Sequence, residues 1–139
     1  MSERRHQRGL LDTSVVIAIP AVPGSHLPQE AAISAITFAE LAAGPHATSD
    51  LDERARRQER LQRVETTFDP LPFDAGAARA YGRVYAAAAA IGRKARGRRA
   101  IDLLIAATAV AVGLPLYTCN PGDFDGLGHL VEIVAVEQT

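Results

Sequence analysis

The apolar positions fall into short blocks separated by polar, glycine- or proline-bearing joints, and each block predicts an element. Gly9-Leu10-Leu11-Asp12 reads as a short buried strand ending in an acid. Thr13-Ser14 opens an apolar segment, 15–19, closed by Pro20; its β-branched residues leave helix and strand open on pattern alone. Residues 31–36 predict a second strand, and Thr37-Phe38-Ala39-Glu40-Leu41 the start of a helix that Gly44-Pro45 ends. Ser49-Asp50-Leu51-Asp52-Glu53 carries N-cap and first-turn acid signals for an amphipathic helix to about 66, with Leu51, Ala55, Leu61, Val64 and Phe68 near its apolar face. Leu71-Pro72-Phe73 suggests a short edge strand, and Asp74 the cap of an alanine-rich helix over roughly 75–92. Residues 100–112 form a further helix that Gly113 stops; strands at 116–120 and 130–136 flank a turn-rich loop over 121–128.

Short strands alternating with helices predict an α/β fold with a largely parallel sheet. Ligands bind such sheets outside the carboxyl ends of the strands. Asp12 ends one strand, Asp123 and Asp125 follow another, and Glu40 and Asp102 are expected in the first turns of helices starting from that edge. The helix over 100–112 is apolar nearly all round, with Asp102 and Thr108 its only strongly polar members, so it should be buried. An isolated buried carboxylate is costly and needs a partner.

Each acid also has a structural explanation. Asp12 can cap the next segment, Glu40 fits a capping box with Thr37, Asp102 can complement a helix dipole, and Asp123 can cap a turn. Asp125, in Asp-Gly, reads as a turn residue. A dipole role does not explain why Asp102 sits in so apolar a helix. Clustered carboxylates repel one another, and a divalent cation with oxygen ligands relieves that repulsion.

At 139 residues the chain is expected to be one domain, 1–139, with a basic lead over about 1–8. No apolar run reaches the ~20 residues of a membrane span, and Asp12 interrupts the run after the lead, against a signal peptide. Cys119 is the only cysteine, which excludes an internal disulfide and fits a cytoplasmic location. A formal net charge of −1 conceals segregation: all cations but Lys94 are arginines, and most of them cluster at 4–8, 54–63 and 93–99. Arginine grips phosphate and carboxylate bidentately, although solvated helix faces give the same composition. There is no glycine-rich phosphate loop, no Gly-x-Ser-x-Gly elbow, and no ligand spacing among His6, His26, His46 and His129. A haloacid-dehalogenase-type phosphotransferase lacks its second aspartate here, since Thr13-Ser14 follows Asp12.

Leu11-Asp12-Thr13-Ser14, then 34–41 with Glu40, then Asp102-Leu103-Leu104-Ile105-Ala106-Ala107-Thr108-Ala109, then Thr118-Cys119-Asn120-Pro121-Gly122-Asp123-Phe124 together resemble a PIN domain, more narrowly the VapC-type toxin ribonucleases. The resemblance runs from about Leu10 to the last strand. It implies a three-layer sandwich of a parallel sheet flanked by helices, and RNA cleavage dependent on Mg²⁺ or Mn²⁺. It places the family's four acids on Asp12, Glu40, Asp102 and Asp123, with Thr13 or Ser14, Thr118 and Asn120 as supporting polar groups. It also implies a homodimer and a small antitoxin whose tail occupies the active-site groove. Two departures stand out: Ile101 replaces the Asn or Asp that many relatives carry before the third acid, and the basic lead is longer than usual. The expectation is a metal-dependent endoribonuclease toxin, with Arg96, Arg98 and Arg99 holding RNA phosphates. The alternative is a catalytically silent PIN fold that binds RNA or antitoxin.

Overall fold

The computed structural model describes residues 6–138. Of the basic lead, residues 1–5 lie outside the described residues. Four strands, β1 (Arg8–Leu11), β2 (Glu30–Ile33), β3 (Leu116–Thr118) and β4 (Ile133–Ala135), form one parallel sheet in the order β2-β1-β3-β4. Among the described residues there are five α-helices, α1 (Thr13–Ala18), α2 (Ala35–Ala43), α3 (Leu51–Thr67), α4 (Ala75–Ala90) and α5 (Arg98–Val112), besides short 3₁₀ turns.

Strand alternation divides the core between the two sheet faces. Leu10 and Leu116, register neighbours on β1 and β3, point into a cluster with Ala80, Val84, Leu103, Ile105 and Ala106 of α4 and α5. Their successors Leu11 and Tyr117 point to the opposite face, against Val15, Leu41 and Val64 of α1, α2 and α3. The result is the three-layer α/β sandwich, with the sheet buried on both sides as parallel sheets require.

The open segment over 15–19 is helical through residue 18, because Asp12 caps it: the Val15 amide donates to Asp12 Oδ1 at 3.1 Å. The helix at 37–41 begins earlier than its pattern suggested. Ser34 is its N-cap, accepting from the Thr37 amide at 3.0 Å, so the second strand stops at Ile33. Glu40 therefore lies beyond the first turn and takes no part in a Thr37 capping box. Asp102 also lies beyond a first turn, since α5 starts at Arg98. The expected edge strand at 71–73 is reduced to a single bridge between Ser34 and Leu71. Leu51 does not belong to the apolar face of α3: at the helix's first position it is 74% exposed, whereas Val64 is buried.

Gly9 is required by close approach. A Cβ there would stand 2.5 Å from Tyr117 Cε1 and 3.1 Å from Pro28 Cγ. Gly9→Ala must push the buried Tyr117 ring out of its layer, so it should destabilise the fold by ~1–3 kcal/mol. Urea unfolding that finds no loss would show that the ring yields freely.

Candidate active site

Because all strands run the same way, their carboxyl ends share one edge, and the β1/β3 junction is where connections diverge to opposite sides. Asp12 directly follows β1 and is 4% exposed. Its Oδ1 takes both the Val15 amide and, at 2.6 Å, the Ser14 hydroxyl, leaving Oδ2 without a hydrogen-bond partner among the described residues. The capping role of Asp12 thus occupies one oxygen only. Ser14 Oγ also accepts from the Cys119 amide at 3.0 Å, which ties the start of α1 to the end of β3. Thr118, fully buried, accepts the Asn120 amide at 2.9 Å, and the Asn120 carbonyl accepts the Asp123 amide at 3.0 Å. Those bonds shape a 3₁₀ turn over Pro121–Phe124, which buried Phe124 anchors in the core and which carries Asp123.

On α2, Glu40 lies within reach of Thr13 Oγ1 at 2.5 Å, and Thr13 Oγ1 is 3.1 Å from the buried Thr37 hydroxyl. A threonine has one hydroxyl proton, and the carboxylate is its stronger acceptor. From the sequence Thr37 is expected as a helix cap and not as a site residue; the signal for its place here is a polar side chain one helical turn before Glu40.

Asp102, 4% exposed on α5, has its carboxyl pushed up from 3.8 to about 6. Burial is the main cause; Arg98 opposes it, while Asp123, Asp12 and Glu40 each push the same way. Asp12, Glu40 and Asp123 are thus near enough to Asp102 for their charges to act on it. Between two of them stands a cation of this chain. Arg98 forms an ion pair with Glu40 through Nη1, and its Nε lies 3.5 Å from Asp102 Oδ1. The spacing of Arg98 and Asp102, four residues apart on a helix, was the signal that could have found this pair.

The three arginines expected on RNA are placed differently. Arg98 faces the acids, Arg99 donates to the Asp123 carbonyl at 3.3 Å, and the Arg96 side chain has no protein partner among the described residues. Opposite charge draws Arg98 in, whereas Arg99 is held by a backbone carbonyl. Asp125 is exposed and pairs with Arg93 at 3.1 Å. A recess of about 450 Å³ lined by Thr13, Ser14, Glu40, Arg57, Arg60 and Arg98 opens beside the acids.

The donor set suits a hard divalent cation: the groups are carboxylates, and Mg²⁺ needs only one or two of them directly because it keeps several waters. As placed, no three acidic, histidine or cysteine side chains among the described residues are grouped closely enough to hold a metal ion. The Arg98 guanidinium, itself largely exposed, supplies the positive charge between Glu40 and Asp102.

Acids at the carboxyl edge of a parallel sheet between helical layers are the arrangement of a PIN domain, and the PIN-domain family model matches residues 9–129. Ribonuclease VapC5 of Mycobacterium tuberculosis is 37% identical over 133 residues, which cover 92% of this chain and 95% of that protein. The chain belongs to the PIN-domain family, in its VapC branch. Among solved structures, VapBC-5 of M. tuberculosis superposes with a TM-score of 0.77 at 36% identity, covering 94% of this chain and 99% of that one. FitAcB of Neisseria gonorrhoeae gives a TM-score of 0.67 at 29% identity, covering 89% and 94%.

A carboxyl raised in the folded state makes that state bind more protons than the unfolded chain, so stability falls as pH rises from 3.8 towards and past about 6. Asp102→Asn removes this dependence. In a chelator, the variant should be more stable than wild type by roughly 1–3 kcal/mol at neutral pH, the gap closing as pH drops below the ordinary carboxyl range. Parallel denaturation curves against pH check it; a pH-independent gap would refute the raised carboxyl.

Proposed function

We propose that this chain is a metal-dependent endoribonuclease, the toxin of a cytoplasmic toxin–antitoxin pair, that hydrolyses RNA phosphodiester bonds at Asp12, Glu40, Asp102 and Asp123. The observation that carries this reading is the placement of buried Asp12 after β1, Glu40 on α2 and buried Asp102 on α5 around one strand edge, with Arg98 pairing to both Glu40 and Asp102. Such a cluster is destabilising when empty and favourable around a cation. Asp12 and Asp102 are the direct ligands in this proposal, and Glu40 and Asp123 complete the set. Mg²⁺ or Mn²⁺ bound there supplies an activated water and neutralises charge on the attacked phosphate.

The chain's own groups prepare that chemistry. Ser14 holds Asp12 Oδ1 and leaves Oδ2 for the ion. Thr13 orients Glu40, whose second oxygen is held by Arg98. Thr118 and Asn120 set the turn that presents Asp123. The Arg98 side chain is 56% exposed, so its ion pairs are weakly held and open to exchange.

VapC5 of M. tuberculosis is named a ribonuclease, and VapBC-5 belongs to a family of toxin–antitoxin systems. We extend both to this chain, as a homodimer inhibited by a small antitoxin. Ile17 and Arg60 line both the recess beside Glu40 and an apolar groove with Val16, Ile19, Val64 and Phe68, so one continuous trough can take an antitoxin segment. Co-expression with the neighbouring open reading frame should give a stable complex with suppressed cleavage. Absence of a complex would remove the toxin assignment and leave the nuclease one standing.

One observation favours the silent alternative: a guanidinium already fills part of the acidic site. Calorimetry with Mn²⁺ and cleavage assays on purified, antitoxin-free protein separate the two. Wild type should cut RNA with Mg²⁺ and stop in chelator, and Asp102→Asn and Glu40→Gln should each abolish cutting while remaining folded. Arg98→Met should bind Mn²⁺ several-fold more tightly than wild type, because a competing positive charge is gone. A wild type that neither binds Mn²⁺ nor cuts, with binding restored in Arg98→Met, would establish the silent reading.

A further inference from the structure

Away from the acids, the chain between α4 and α5 builds a second feature. Tyr81 and Tyr85, one helical turn apart on α4, have ring centroids 6.1 Å apart at 47°; Tyr81 packs against the core, while Tyr85 is 51% exposed. After α4 the backbone turns at Gly92, at φ +78°, and the segment over 93–96 closes a recess of about 440 Å³ against Tyr85 and Ala89. Arg93 at its start is committed, donating to Asp125 Oδ2 at 3.1 Å and to the Gly122 carbonyl at 3.5 Å. It staples the segment to the turn that carries Asp123. Arg98 and Arg99 are committed to the acidic site.

Lys94 and Arg96 are the exceptions. Both are exposed on this recess, and neither has an acidic partner among the described residues. Two unneutralised cations beside an exposed aromatic ring match a ligand with a polyanionic backbone and flat, unstacked rings. A single-stranded polynucleotide has both; a duplex keeps its bases stacked and offers only phosphates. An acidic peptide satisfies the cations and leaves the ring unused. Arg96 is two residues from Arg98, hence within ~7 Å by Cα of a residue that pairs with Glu40 and Asp102.

We propose that Tyr85, Lys94 and Arg96 form a nucleotide subsite for single-stranded RNA flanking the cleavage site, with a base stacked on Tyr85 and phosphates on the two cations. This inference rests on the ribonuclease reading and adds to it a place, outside the acids, where the strand is held. The cations of this subsite replace Arg98 and Arg99 as the phosphate contacts on the segment before α5.

The test is binding in EDTA, where no cutting complicates it, of a fluorescein-labelled single-stranded RNA and of the same strand annealed to its complement. Tyr85→Ala should weaken single-strand binding about tenfold or more and leave duplex binding unchanged. Tyr85→Phe, which keeps the ring, should match wild type. Lys94→Ala with Arg96→Ala should weaken both RNAs and flatten the single-strand salt slope by about 1.4, or ~0.7 per lost contact. Circular dichroism and light scattering accompany each variant. Unchanged single-strand affinity in Tyr85→Ala, or equal loss for the duplex, overturns the subsite while the ribonuclease reading survives. A Tyr85→Ala protein that changes from dimer to monomer assigns the ring to a protein interface and likewise overturns it. Wild type that binds neither RNA removes the subsite and the RNA substrate together.

Discussion

Like charges gathered at one place in a folded protein need something that holds them there, and here it is the apolar packing of α5. Leu103, Ile105, Ala106, Ala107 and Ala109 are essentially inaccessible to solvent, so the helix cannot rotate to expose Asp102 without unpacking the larger core cluster. Hydrophobic burial of several side chains outweighs the penalty of one desolvated carboxyl. Its raised pKa records that imbalance. The acids are therefore positioned by forces unrelated to their own preferences, which is how a site can be held ready for a cation.

The sheet supplies the other half of the constraint. Parallel strands end together, and the order β2-β1-β3-β4 sets the end of β1 beside the end of β3. Short hydroxyl bonds then knit these ends: Ser14 joins α1 to β3, Thr118 fixes the following turn, and Thr13 spans from α1 to Glu40 on α2. Among the described residues no side-chain nitrogen or oxygen that is itself wholly shut off from solvent lacks a hydrogen-bond partner. The fully enclosed polar atoms are thus satisfied inside a core that would otherwise reject them, and Asp12 Oδ2 is the carboxylate oxygen left over at the edge.

The arginines divide by neighbourhood. Arg56 and Arg57 are held by Glu53 within α3, and Arg57 also reaches the Gly44 carbonyl. Arg93 and Arg99 secure the turn carrying Asp123, and Arg98 neutralises part of the acidic cluster. Subtracting these structural uses leaves Lys94 and Arg96 as the cations before α5 that remain available to a ligand. A net charge of −1 conveys none of this.

Much was legible in the residues alone. Periodicity and caps are local, so the α/β class, the helices capped by Asp50 and Asp74, and the apolar helix around Asp102 could be read directly. The order of four short motifs carried the family. Element starts were misjudged where a competing cap lay nearby: Ser34, not Thr37, begins α2, which removes Glu40 from a capping role. Leu51 looked like a core residue by spacing, but it sits at the first position of α3, where it stays exposed. Which cation meets which acid was decided only by tertiary structure. Glu40 and Arg98 are 58 residues apart, and their meeting depends on α2 and α5 being brought to one strand edge. Local sequence determines how each segment folds; long-range packing determines which charges become neighbours, because that energy depends on distances the chain acquires only when the sheet closes.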